Sequence, residues 1–157
     1  MSARRRTLGD EHPDTLKSIN NLAALLHKQG KLGEAEPLYR EALSARRRTL
    51  GDEHPSTLSS INNLAGLLQK QGKLGEAEPL YRTALSARRR TLGNEHPSTL
   101  DTMYNLGLLL WAQGSKAEAL EMLRKELEVR RRVLGEDHPH TQRSLRAYMP
   151  YRENENL

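Results

Sequence analysis

The sequence predicts an all-α fold, a solenoid of antiparallel helix pairs, and three observations carry that prediction. The chain repeats itself every 42 residues. Within each copy the apolar residues return at helical spacing rather than in strand alternation. The apolar content, 36% with no Phe and 29% charged residues, is too low for one thick core. It suffices for the narrow strip between stacked helices of a repeat array.

Residues 2–43, 44–85 and 86–127 are three copies of the unit. The first two differ only at 14/56, 17/59, 24/66, 27/69 and 41/83, so 37 of 42 positions are identical. The third is looser and matches the second at 24 positions. A partial fourth copy, 128–148, keeps VRRRVLGEDHPHT and is expected to cap the array. The expected organisation is one repeat domain over 1–148, with 1–8 as the tail of a preceding helix and 149–157 as a polar, frayed tail. Because the first copy opens inside a helix, we expect the chain to continue a longer array.

The elements follow in order. In the second copy Leu58, Ile61, Leu64, Ala65 and Leu68 fall on one helical face. Pro55 suits a first helical position, and Gly72 marks a stop. Ala77, Leu80, Tyr81, Ala84, Leu85 and Leu92 make a second stripe, ended by Gly93. Applied to every copy, the pattern predicts helices over 14–29, 33–50, 55–71, 75–92, 97–113 and 117–134, with a short one over 139–148. Pro37 and Pro79 are expected near a first turn, where proline costs little. Each helix has a single apolar face, so the pairs must pack on each other.

Several function classes are excluded or disfavoured. With no Cys, disulfides and thiolate metal sites are impossible. The longest apolar stretch, around Leu106 to Ala112, is far too short to span a bilayer, and no secretory signal follows the basic N-terminus. The chain reads as soluble and cytoplasmic. No Ser-His-Asp set, glycine-rich phosphate loop or carboxylate pair stands out, so no enzyme and no cofactor is expected. His12, His54, His96 and His138 occur once per repeat before Pro; spaced along an array they cannot converge on a metal, and we expect them to cap the first helices or pack in the turns.

The pattern HPxTxxxxNNLAxLxxxQGKxxEAExLY resembles the tetratricopeptide repeat in its 42-residue, kinesin light chain-like form. The likeness rests on Leu22-Ala23, Leu64-Ala65 and Leu106-Gly107 in first helices. Second helices contribute Ala35, Ala77 and Ala119, with Tyr39, Tyr81 and Leu123, followed by Ala42, Ala84 and Glu126. It covers residues 2 to 148. It implies a right-handed solenoid whose concave groove, lined by first helices, binds proteins or short peptides. Asn21, Asn63 and Asn105 match asparagines that hold a peptide backbone in such grooves, an amide being able both to donate and to accept. A two-carboxylate clamp is disfavoured, because its positions carry Asn20, Ala24, Asp101 and Asn105.

The first-helix positions Asn20, Ala24, His27 and Asn62, Gly66, Gln69 become Tyr104, Leu108 and Trp111 in the third copy. Such an aromatic patch calls either for a ligand or for cover by the last helix through Leu145, Tyr148 and Met149. Lys17, Lys28, Lys70, Arg143 and Arg146 would favour an acidic ligand, as the net charge of +5 also does. The main expectation is therefore a peptide-binding scaffold taking an acidic or apolar-anchored segment. The alternative is a structural module that stacks head to tail through an exposed Leu8 face. A third reading, nucleic-acid binding through the Arg triplets 4–6, 46–48, 88–90 and 130–132, ranks below both. Arginines near helix C-termini suit the helix dipole, and their stems pack on neighbours.

Overall fold

The computed structural model describes Ala3, Arg5 and residues 8–154. Seven helices have bounds among them: α1 Pro13–Lys28, α2 Leu32–Leu50, α3 Pro55–Lys70, α4 Leu74–Leu92, α5 Pro97–Ala112, α6 Lys116–Leu134 and α7 Pro139–Asn154. No strand occurs among the described residues. The fold is an all-α helical repeat solenoid. Six helices lie within one residue of their expected bounds; the seventh runs past Tyr148, through Pro150, to Asn154. Ala3, Arg5 and Leu8 are helical, and the other residues of 1–8, expected to end a preceding helix, lie outside the described set, as do 155–157 of the tail.

Repeating chemistry sets the boundaries. Each first helix starts on Pro after a histidine cap: Nδ1 of His12, His54, His96 and His138 accepts the backbone N–H two residues on, at 3.1 to 3.2 Å. Such a bond satisfies one of the orphan donors at a helix start. The first helices α1, α3 and α5 each end in a Schellman turn. Around Gly72 (φ 80) the Gly72 N–H donates to Gln69 O, and the Lys73 N–H donates to Leu68 O. Second helices end on a glycine such as Gly51 at φ 89, ψ 168, a conformation essentially reserved for glycine.

Pro37 lies deeper in α2 than expected, because the helix begins at Leu32. Its ring crowds the carbonyl four residues back, which belongs to the pliable Gly33. Gly75 and Pro79 repeat the pairing, and the third copy loses both members together, as Ala117 and Glu121.

The chain divides into two compact units, 1–80 and 81–157. In the first, α1 packs on α2 and α3, and α2 packs on α3. Leu16, Ile19, Ala42 and Ala45 form a core cluster with Leu38 against it. In the second, α5 packs on α6 and α6 on α7. A Cβ added to Gly107 of α5 would stand 2.7 Å from Cγ of Leu123 on α6, so the two helices approach closely there. The first copy uses Ala23 and Tyr39 at these positions.

Candidate peptide-binding faces

In the first unit the amide residues lie on α1 and α3. Asn63 Nδ2 donates to Asn20 Oδ1 at a long 3.5 Å. Asn21 is exposed, and Asn62 is half-buried with an interaction of its own. Lys17, Lys28 and Lys70 are exposed. His27, on the face expected to be open, instead packs edge-on against Tyr39 of α2 with ring centroids 6.2 Å apart. Burial, and then the Lys70 charge, hold its pKa below the ordinary value.

In the second unit Tyr104, Asn105, Leu108 and Trp111 lie on α5 and all are half-buried. Helix α7 accounts for part of that cover. Trp111 stacks on Tyr151 with centroids 4.1 Å apart and planes 16° apart, while Lys116 Nζ sits 5.3 Å from the Trp111 ring. The Arg143 guanidinium lies 4.4 Å over the Tyr104 ring and donates to Asp101 at 3.1 Å. Arg143 is thus engaged inside the unit, whereas Arg146 is exposed. Leu145 and Tyr148 are half-buried, and Met149 is exposed. The rings meet through Tyr151, a residue assigned from sequence to the polar tail.

Beneath this face lies a buried polar network. Glu126, 0% exposed where the first two copies carry Ala42 and Ala84, accepts from Arg130, itself 1% exposed, and from Ser144 Oγ at 2.9 Å. Arg130 also donates to Asp101 at 2.7 Å. Burial pushes the Glu126 carboxyl above the ordinary range, outweighing the pull of Arg130. The carboxylates of Glu126 and Asp101 keep the Arg130 guanidinium charged despite its burial.

The Arg triplets are tied into the repeats. In the two middle triplets the first arginine reaches the next first helix: Arg46 donates to Ser60 Oγ at 2.7 Å and Arg88 to Thr102 Oγ1 at 2.6 Å. Arg47 and Arg131 pair with Asp52 at 3.4 Å and Glu136 at 2.9 Å. Arg48 and Arg132 reach back to Glu11 at 2.6 Å and Glu95 at 2.5 Å. Among the described residues the triplets, Arg89 apart, therefore do not form the ladder of free cations that phosphate binding would require. Among the described residues no three His, Asp or Glu side chains gather as a metal site, and no helix is long and apolar enough to cross a membrane.

Comparison with known proteins agrees with this architecture. Residues 15–56 and 57–132 each match the tetratricopeptide repeat family. The chain is 30% identical to a Podosopora anserina putative kinesin light chain with nearly identical TPR-like repeats, covering 99% of this chain and 74% of that one at a TM-score of 0.82. A variant of that protein gives 29% identity, a TM-score of 0.84, and coverage of 99% and 73%. BtubC (BKLC) from P. vanneervenii shares the fold at 22% identity and a TM-score of 0.86, with 98% of this chain covering 62% of that one. No curated protein matches the chain. The chain belongs to the tetratricopeptide repeat family, in its kinesin light chain-like form. It is accordingly a protein–protein interaction scaffold.

Proposed function

We propose that the chain binds short, extended peptide segments on its first helices, favouring acidic residues and an apolar anchor. The observation that carries this reading is Trp111: with Tyr104 and Leu108 it remains half-buried, retaining open aromatic surface even with Tyr151 stacked on it. Aromatic side chains that keep partial exposure beside polar neighbours are frequent anchors. Asn105 on the same helix, and Asn21 and Asn63 in the first unit, offer amides to a peptide backbone. Lys17, Lys28, Lys70 and Arg146 supply positive charge for acidic side chains, while Asn20 and Asn62 add polar contacts. Panning a random-peptide library on the full chain tests the proposal: enrichment of sequences combining Asp or Glu with a large apolar residue supports it, and no enrichment removes it.

A second reading, self-association, rests on a different observation. Leu25 of α1 is 52% exposed, whereas its counterparts Leu67 and Leu109 are 0% exposed. Leu8 is exposed as well. Light scattering over a wide concentration range tests it; a mass that stays monomeric ends this reading, and growth abolished by Leu25→Glu supports it.

A further inference from the structure

The environment of Arg5 differs in sign from that of Arg89, its counterpart two repeats on. Arg5 is held by Glu41 at 2.6 Å and Asp10 at 3.9 Å. The same three repeat positions become Arg89, Asn94 and Lys125. Both carboxylates are gone, one replaced by a neutral amide and the other by a cation, so the formal charge turns from negative to positive. Elsewhere the loop acid persists, as Asp52 for Arg47 and Glu136 for Arg131. Among the described residues the Arg89 side chain has neither ion pair nor hydrogen bond.

These side chains open a cavity of about 430 Å³ on the second-helix side of the second unit, lined by Arg89, Asn94, Met103, Lys125, Glu128 and Val129. The acid on its rim is already committed, since Glu128 accepts from Arg124 at 2.6 Å. Lys125 contacts Glu121 at 3.1 Å. Met103 and Val129 supply an apolar wall.

We propose that this cavity is a second recognition site, which takes a carboxylate flanked by an apolar side chain. A guanidinium with free donors favours the bidentate geometry of a carboxylate, the Asn94 amide adds a donor, and Met103 with Val129 takes the neighbouring apolar group. The carboxylate comes either from an Asp or Glu side chain or from the C-terminus of a polypeptide. The site shares no residue with the first-helix faces and stands independently of the function proposed for them.

The test uses the full chain, labelled at methionine methyls and arginine side-chain nitrogens and followed by NMR. Two probes separate the sources: acetyl-Leu-Glu-Leu-amide and acetyl-Gly-Leu with a free carboxylate. The expected result is movement of the Met103 methyl and Arg89 Nε–H signals, weakened at least about fivefold in Asn94→Asp/Lys125→Glu. That double variant rebuilds the pattern around Arg5, so it presents a pairing the fold already tolerates; Arg89→Gln serves as a second check. Response to the blocked peptide assigns a side-chain carboxylate, and response to the free acid alone assigns a chain terminus. Signals that ignore both probes at millimolar concentration, or that move equally in the double variant, overturn the proposal.

Discussion

Trp111 of α5 lies flat on Tyr151 of α7, with 4.1 Å between ring centroids. The stack fastens the last helix to the third repeat at a point beyond Pro150, where the sequence suggested that order had ended. Trp111 is the only tryptophan, so the emission comes from this site alone. Tyr151→Ala should cost about 1 kcal/mol, in the range of an aromatic pair, and shift the emission to the red. Unchanged emission would mean that the stack does not persist in solution.

The two halves of the buried ion pair should respond differently to removal. Arg130→Ala leaves the Glu126 carboxylate buried without its cation and should cost about 3–5 kcal/mol. Glu126→Ala restores the residue type of the other copies. Arg130 can then donate to Ser144, as Arg46 does to Ser60, so the loss should stay near about 1 kcal/mol or less. Urea unfolding of both variants measures the contrast, and equal losses would refute it. The pH dependence has a defined sign. With the folded pKa of Glu126 raised above 4.5 by burial, its contribution is present below that value and lost as pH rises through the folded pKa. Glu126→Ala should therefore gain on the wild type as pH is raised across that window.

His27 has the opposite sign of linkage. Its folded pKa is lowered from 6.5 by burial and by Lys70, so it contributes stability above 6.5 that is lost as pH falls through the folded value. His27→Gln, which copies Gln69, should flatten that part of the stability profile. An NMR titration of the wild type should place the His27 midpoint below 6.5, and Lys70→Ala should move it upward. A midpoint unmoved by Lys70→Ala would leave burial as the sole cause.

The histidine caps can be tested one at a time. His54→Ala removes the acceptor for the Ser56 N–H and should cost about 1 kcal/mol, whereas His54→Asn keeps an acceptor and should be nearly neutral. Thermal unfolding of the pair checks this, and indistinguishable midpoints would show that the bond contributes nothing.

Gly107→Ala sets two effects against each other. The helix gains about 1 kcal/mol in propensity, yet the new Cβ meets the branch carbon of the buried Leu123 at 2.7 Å. Overpacking of that kind costs about 1–3 kcal/mol, so a net loss is expected, and pairing the change with Leu123→Ala should relieve the clash. A stabilised single variant would show that the helices yield easily.

Much of this was legible in the sequence because repetition amplifies weak signals. One HPxT before an apolar stripe is a modest hint of a helix start, but four at 42-residue spacing located every first helix and left the histidines two roles, of which the bonds to the backbone select capping. The end of α7 was hidden because Pro150 reads as a stop, although Leu145, Tyr148 and Tyr151 continue the three-residue step of a helical face. Glu126 was visible as an oddity among alanines, but Arg130 was read only as one of a triplet suited to the helix dipole. Their burial and the bond to Ser144 depend on tertiary packing, which spacing within one helix does not encode. The loss of carboxylates around Arg89 was also hidden, because Glu41 lies far from Arg5 in sequence and only the fold shows that they meet.

The most direct measurement for the central claim is calorimetric titration of library-selected peptides into the wild type and into the Asn63→Ala and Trp111→Ala variants. The account predicts binding weakened at least about tenfold in one or both variants, with circular dichroism unchanged. Selected peptides that bind all three proteins equally would contradict it.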